Sequence, residues 1–190
     1  MVQDGSLLES SCPFITEKLG EDREIESIQP YEMLSALPES ARKRFYDMAG
    51  FDYDEFAALF DASPKKNLVI IGTSHGSEES ARQQRDYVAR IVEQYGEGYD
   101  IFFKPHPADT SSAGYETEFP GLTLLPGQMP FEIFVWALID RVDMIGGYPS
   151  TVFLTVPLDK VRFIFAANAE SMARPLNILF RDATDVEWMQ

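Results

Sequence analysis

Leu68-Val69-Ile70-Ile71 is an unbroken apolar run that stops at Gly72, and it narrows the choice of fold more sharply than any other segment. Alternation would mark a strand with one wet face. Consecutive apolar residues mark a strand covered on both faces, the condition of a parallel sheet between helices. The next segments of the chain keep to that pattern. Gly72-Thr73-Ser74-His75-Gly76 turns the chain and Ser77 is placed to cap a helix running to Tyr95. Ala81, Gln84, Val88, Ile91, Val92 and Tyr95 fall on one stripe of it before Gly96. Ile101-Phe102-Phe103-Lys104 is the next strand. Pro105 and Pro107 cut it short, because proline lacks a backbone donor and fixes φ.

The alternation continues to the C-terminus. Short strands are expected over 122–125, 143–146 and 161–166. A helix opens at Pro130, and a small one comes after Gly147-Tyr148-Pro149-Ser150-Thr151. Between Tyr31 and Phe60 short helices succeed one another, while residues 1–30 are polar, acid-rich and poorly periodic. The expected architecture is α/β, a doubly wound and mostly parallel sheet over 31–190 with a lead-in over 1–30.

Composition excludes several classes of function. The chain carries 31 acids against 16 bases, a net charge of −15, which repels nucleic acid and anionic lipid. One cysteine and two distant histidines give no thiolate or imidazole metal cluster. Asp52-Tyr53-Asp54 has the D-x-D pattern of a cation site, but its acids fit the dipole-favoured start of a helix. No apolar run reaches the roughly 20 residues of a membrane span, and the N-terminus lacks a signal-peptide layout. A cytoplasmic protein is expected.

Open α/β sheets bind ligands beyond the carboxyl ends of their strands. Four segments should meet there: Gly72-Thr73-Ser74, Lys104-Pro105-His106-Pro107, Glu132 and Ser150-Thr151. Hydroxyls beside free backbone N–H groups suit a phosphate, a histidine can donate to its oxygens, and a carboxylate can accept from ribose hydroxyls. Glu132 equally suits a helix first turn, and Ser150-Thr151 an N-cap. Together the four describe a nucleotide pocket.

Six ordered segments carry a resemblance. They are Arg44-Phe45-Tyr46-Asp47-Met48-Ala49-Gly50-Phe51-Asp52, Val69-Ile70-Ile71-Gly72-Thr73-Ser74, Tyr99-Asp100-Ile101-Phe102-Phe103-Lys104-Pro105-His106-Pro107, Pro130-Phe131-Glu132-Ile133-Phe134, Gly147-Tyr148-Pro149-Ser150-Thr151-Val152-Phe153 and Pro157-Leu158-Asp159-Lys160-Val161-Arg162-Phe163-Ile164. From about Tyr31 onward the chain resembles the C-terminal, donor-binding domain of the bacterial sialyltransferases of glycosyltransferase family 80, which have the two-domain GT-B fold.

The resemblance implies a Rossmann-like domain that binds CMP or CMP-sialic acid and takes part in inverting transfer of sialic acid to a galactoside-type acceptor. It implies that His106 protonates or hydrogen-bonds the departing phosphate, that Ser150 and Thr151 hold it, and that Glu132 binds the ribose. Lys104 and Pro105, in the motif that Pro107 closes, would line the cytosine, with Gly72 and Ser74 as the neighbouring wall. Neither metal nor other cofactor is implied. The family's general base is an aspartate in a Tyr-Asp-Asp-Gly motif of the N-terminal domain, which Asp4-Gly5 echoes.

Three departures stand out. Pro105 replaces a glycine, Thr151 a serine, and His75-Gly76 stands where the family has a tryptophan after its Gly-Thr-Thr-Thr run. Most of an N-terminal half is expected to be missing, so catalysis is not expected of this chain alone; the missing domain or a homo-oligomer is its expected protein partner. A transferase for another CMP-activated acid sugar such as Kdo, and a non-catalytic nucleotide-binding or interaction module, are the alternatives.

Overall fold

Each apolar run of the sequence becomes a strand whose side chains alternate between two cores. In the computed structural model, which describes residues 30–190, Val69, Ile71, Phe102 and Ile145 point to one face of a sheet, and Leu68, Ile70, Ile101 and Phe103 to the other. Both faces are covered, which is why the runs are continuous rather than alternating.

Helices α1 (Pro30–Ala36), α2 (Glu39–Ala49) and α3 (Tyr53–Phe60) precede β1 (Lys66–Ile71). Helix α4 (Glu78–Tyr95) leads into β2 (Tyr99–Lys104), the short α5 (Tyr115–Glu118) into β3 (Leu122–Leu124), and α6 (Phe131–Leu138) into β4 (Met144–Gly147). Strand β5 (Val161–Ile164), α7 (Leu176–Leu179) and a two-residue β6 (Glu187–Trp188) complete the chain. The six strands are all parallel, in the order β3-β2-β1-β4-β5-β6. The first three strands build outward in one direction and the next three in the other, so the order reverses between β1 and β4. No helix among the described residues is long and apolar enough to cross a membrane.

Aromatic side chains fill the face shared by α1–α3 and α6. Phe60 stacks on Phe102 with ring centroids 4.1 Å apart, and Phe134 meets Phe51 and Phe56 edge-on at 5.2 and 4.7 Å. On the opposite face, Tyr87, Val88 and Ile91 of α4 are buried against the sheet. The helix starts as its sequence indicates: the Ser77 hydroxyl accepts from the Ser80 amide at 3.2 Å, with Ser80 completing a capping box. The D-x-D triplet is likewise a helix start, because Asp52 Oδ1 accepts from the Glu55 amide at 3.0 Å.

The start of β1 is pinned by one buried side chain. Asn67 Nδ2 donates to the Phe60 and Arg141 carbonyls at 2.9 and 2.8 Å, and its amide donates to Asp143 Oδ2 at 2.9 Å. Asn67 thereby ties the end of α3 and the approach to β4 to the central strand.

At the other end β1 and β4 close tightly. The fourth strand runs one residue further than the sequence suggests and ends on Gly147, with φ at 127°. A Cβ there would lie 2.6 Å from the Ile71 amide nitrogen and closer still to its carbonyl oxygen. Only glycine tolerates both the dihedral and the approach. Gly147→Ala should lower the unfolding free energy by at least about 2 kcal/mol, read as a reduced midpoint in urea denaturation.

Candidate functional site

The register of the sheet brings the sequence-predicted residues to one edge. Ile71 lies level with Lys104 on one side and Gly147 on the other. The segments after all three therefore leave the sheet at the same height. Neighbouring strands lie about 4.8 Å apart, so the loop after β2 and the loop after β4 stand about 10 Å apart across the end of β1. Gly72-Thr73-Ser74 occupies the space between them, and Glu132 enters from the first turn of α6.

Gly72 is required by its neighbour, since a Cβ would lie 2.6 Å from Cζ of Phe103. Its amide donates to the Lys104 carbonyl at 3.0 Å. The next amide, of Thr73, donates to Gln84 Oε1 at 3.0 Å. Gln84 is fully buried, and its Nε2 donates to Asp109 Oδ2 and to the Tyr115 hydroxyl, each at 3.3 Å. Burial alone would push the Asp109 carboxyl up, but hydrogen bonds from the Ser111 hydroxyl and amide, from Ser112 and from Gln84 outweigh it and hold the group below the usual carboxylate range. Gln84 thus fixes the loop after β1 to the loop after β2. Its signal in the sequence is a polar residue on an otherwise apolar stripe.

Lys104 is engaged by backbone carbonyls of its own loop and of the 126–129 segment. The residue is only 4% exposed, and Nζ donates to the carbonyls of Pro105 and Gly127, both at 2.9 Å. Burial lowers its pKa to about 8, with Glu132 acting in the opposite direction. Pro105 is buried and packs on Gly127, and Gln128 Nε2 donates to the Pro107 carbonyl at 3.0 Å. Lysine, proline and glutamine together clamp the 126–129 segment against the histidine loop. That segment leads into α6, so the clamp also sets where Glu132 stands. Gln128 and Gly127 had no signal in the sequence, because their contribution is a tertiary contact.

His106 is exposed at the rim. Its Nδ1 accepts from the Ala108 amide at 3.1 Å, and its carbonyl accepts from the Asp109 amide at 2.8 Å. An imidazole that accepts at Nδ1 carries its proton on Nε2, which is then a donor. On the far side of the crevice, Ser150 caps the 3-10 turn Thr151–Leu154, its Oγ accepting from the Val152 amide at 3.3 Å. The capping reading of this pair therefore holds, and the Ser150 proton remains free to donate. Thr151 is exposed and Glu132 half-buried. Asp4, the sequence-predicted base, lies outside the described residues. Among the described residues no group of three or more His, Cys, Asp or Glu side chains is placed to hold a metal ion.

A surface depression of about 510 Å³ runs along α4, lined by Ser77, Glu79, Ser80, Arg82, Gln83 and Asp86. It contains none of the residues at the strand ends.

No protein-family model matches the sequence, and no curated protein matches it. Solved structures do. A sialyltransferase from Photobacterium damsela superposes with a TM-score of 0.69 at 24% identity, covering 93% of this chain and 41% of that one. The GT-B portion of a Photobacterium damselae sialyltransferase gives 0.73 at 21% identity, covering 98% and 54%. A Photobacterium 2,6-sialyltransferase, solved in a ternary complex with donor product CMP and acceptor substrate lactose, gives 0.63 at 19% identity, covering 83% and 36%. This chain has the fold of a GT-B glycosyltransferase domain. The similar proteins belong to the group whose motifs the sequence resembles, and the chain spans about half of their length or less.

The lysine clamp carries a pH signature. A folded pKa of about 8 against an ordinary 10.5 means that the unfolded chain binds the Lys104 proton more tightly. The folded state therefore gains stability as pH rises from about 8 toward 10.5. The wild type should gain on the order of 1 kcal/mol over Lys104→Met between pH 7.5 and 10, after allowance for solvent screening, as measured by urea denaturation of both proteins at the two pH values.

Proposed function

We propose that this domain binds the CMP portion of CMP-sialic acid and forms the donor-side wall of a sialyltransferase-like, inverting glycosyltransferase. The observation that carries the reading is the convergence of the His106, Ser150-Thr151 and Glu132 segments on the β1/β4 crevice, on the fold of a GT-B domain. Histidine and hydroxyl donors suit a phosphate, and a carboxylate suits the hydroxyls of a ribose.

In this reading the nucleotide lies across the end of β1. The phosphate sits between the Nε2–H of His106 and the hydroxyls of Ser150 and Thr151, and Glu132 accepts from the ribose hydroxyls. Lys104 contributes by holding the cytosine-side loop in place, not by reaching into the pocket. During transfer the bond between the anomeric carbon and the phosphate oxygen breaks, with its electron pair going to the phosphate. His106 and the two hydroxyls stabilise that charge as it develops. The acceptor hydroxyl attacks from the opposite face and gives its proton to a carboxylate, a role for which Asp4 is the candidate. Histidine and hydroxyl donors supply the leaving-group stabilisation, so no metal ion is invoked.

Calorimetric titration of the chain with CMP tests the reading. Binding should be selective over UMP and AMP, and His106→Ala and Glu132→Gln should each weaken it about tenfold, the cost of one charge-assisted hydrogen bond. A folded sample that shows no preference for CMP would overturn it.

A further inference from the structure

The crevice holds polar groups that the nucleotide reading does not use. His75 and Tyr148 come after the two central strands, β1 and β4, and their rings meet edge to face with centroids 6.2 Å apart. Both ring nitrogens of His75 and the hydroxyl of Tyr148 are out of contact with solvent, and none has a hydrogen-bond partner. Three unpaired polar atoms at one place are unusual, because native proteins pair nearly all buried donors and acceptors. Burial holds the Tyr148 hydroxyl well above its ordinary pKa, so it stays protonated and able to donate.

The surroundings are aromatic and lie on the α4 side of the sheet. Tyr148 also packs edge-on against Phe165 at 5.3 Å and Tyr87 at 6.1 Å. Glu132 and the turn after Ser150 belong instead to elements packed in the core on the opposite face. A ligand with its nucleotide on the α6 side would therefore reach this cluster with whatever the nucleotide carries. Aromatic faces with one phenol and one imidazole suit a sugar, whose C–H faces lie on rings and whose oxygens take the polar atoms.

No hydrogen bond holds the histidine ring in place. The amides of Ser74, His75 and Gly76 make no hydrogen bond within the described residues, and a Cβ at Gly76 would meet open space. Rotation of the His75 ring toward the crevice breaks no hydrogen bond.

We propose that His75 and Tyr148 form a sugar-binding subsite at the β1/β4 crevice, contacting the glycosyl part of the nucleotide sugar. The proposal rests on the CMP-sugar reading of the same crevice. The chain has only two histidines, His75 and His106, so imidazole NMR signals report on the sugar and nucleotide subsites separately.

Titration with a hydrolysis-resistant CMP-sialic acid analogue should shift both signals, whereas CMP should shift His106 far more than His75. His75→Asn and Tyr148→Phe should each lower the ratio of analogue to CMP affinity at least tenfold. Tyr148→Phe removes a hydroxyl without a protein partner, so its thermal midpoint should not fall, which separates ligand contact from a packing role.

A His106 signal that moves while His75 stays silent would overturn the subsite and leave the nucleotide reading standing. An unchanged affinity ratio in both variants, or a His75 shift as large with CMP as with the analogue, would also overturn it. Silence of both histidines would remove the nucleotide reading and the subsite with it.

Discussion

The contact on which the rest of the structure depends is the seam between β1 and β4 at their carboxyl ends. Gly147 lets the two backbones approach within a distance no Cβ would allow, and the Tyr148 amide then donates to the Ile71 carbonyl at 2.9 Å. One step further, the Phe165 amide donates to the Gly147 carbonyl at 2.9 Å, which carries the arrangement on to β5. The strand order reverses at this seam. Open α/β sheets hold their ligands at such a reversal, where the connections on its two sides leave in opposite directions. Every candidate group among the described residues is placed by its distance from that point along the sheet.

Two buried polar side chains turn the sheet edge into a defined site. Gln84 holds the loop after β1 against the loop after β2, and Lys104 holds the loop after β2 against the segment that enters α6. In each case a side chain from a regular element satisfies backbone groups of an irregular one, in surroundings with little access to water. Unpaired carbonyls and amides there would be costly. Among the described residues the buried Asn67 Oδ1, Trp136 Nε1 and Asn177 Oδ1 also lack partners, but His75 and Tyr148 bring three such atoms together on two rings in contact.

Much of this was legible in the chain itself. Continuous apolar runs gave the strands, Ser77 and Gly96 bracketed α4, and Pro105 and Pro107 ended β2 as expected. The two-residue β6 was not legible, because so short a strand has no periodicity of its own. The part of Lys104 was not legible either. The sequence shows only a lysine that ends a strand, and it takes the position of the Gly127 carbonyl to show that Nζ bonds within the protein. Ser150 was open to two readings. The structure assigns its lone pair to the cap and leaves its proton for another acceptor.

By itself the sequence determined the elements, their parallel character and the residue types at the strand ends. Those come from local pattern: apolar runs, capping residues, and prolines that cannot continue a ladder. The strand order, the register that levels Ile71 with Lys104 and Gly147, and the pairing of each buried polar atom were decided by the tertiary structure. These are contacts between residues tens of positions apart, selected by packing two faces of one sheet at once. No local pattern encodes a partner at that separation.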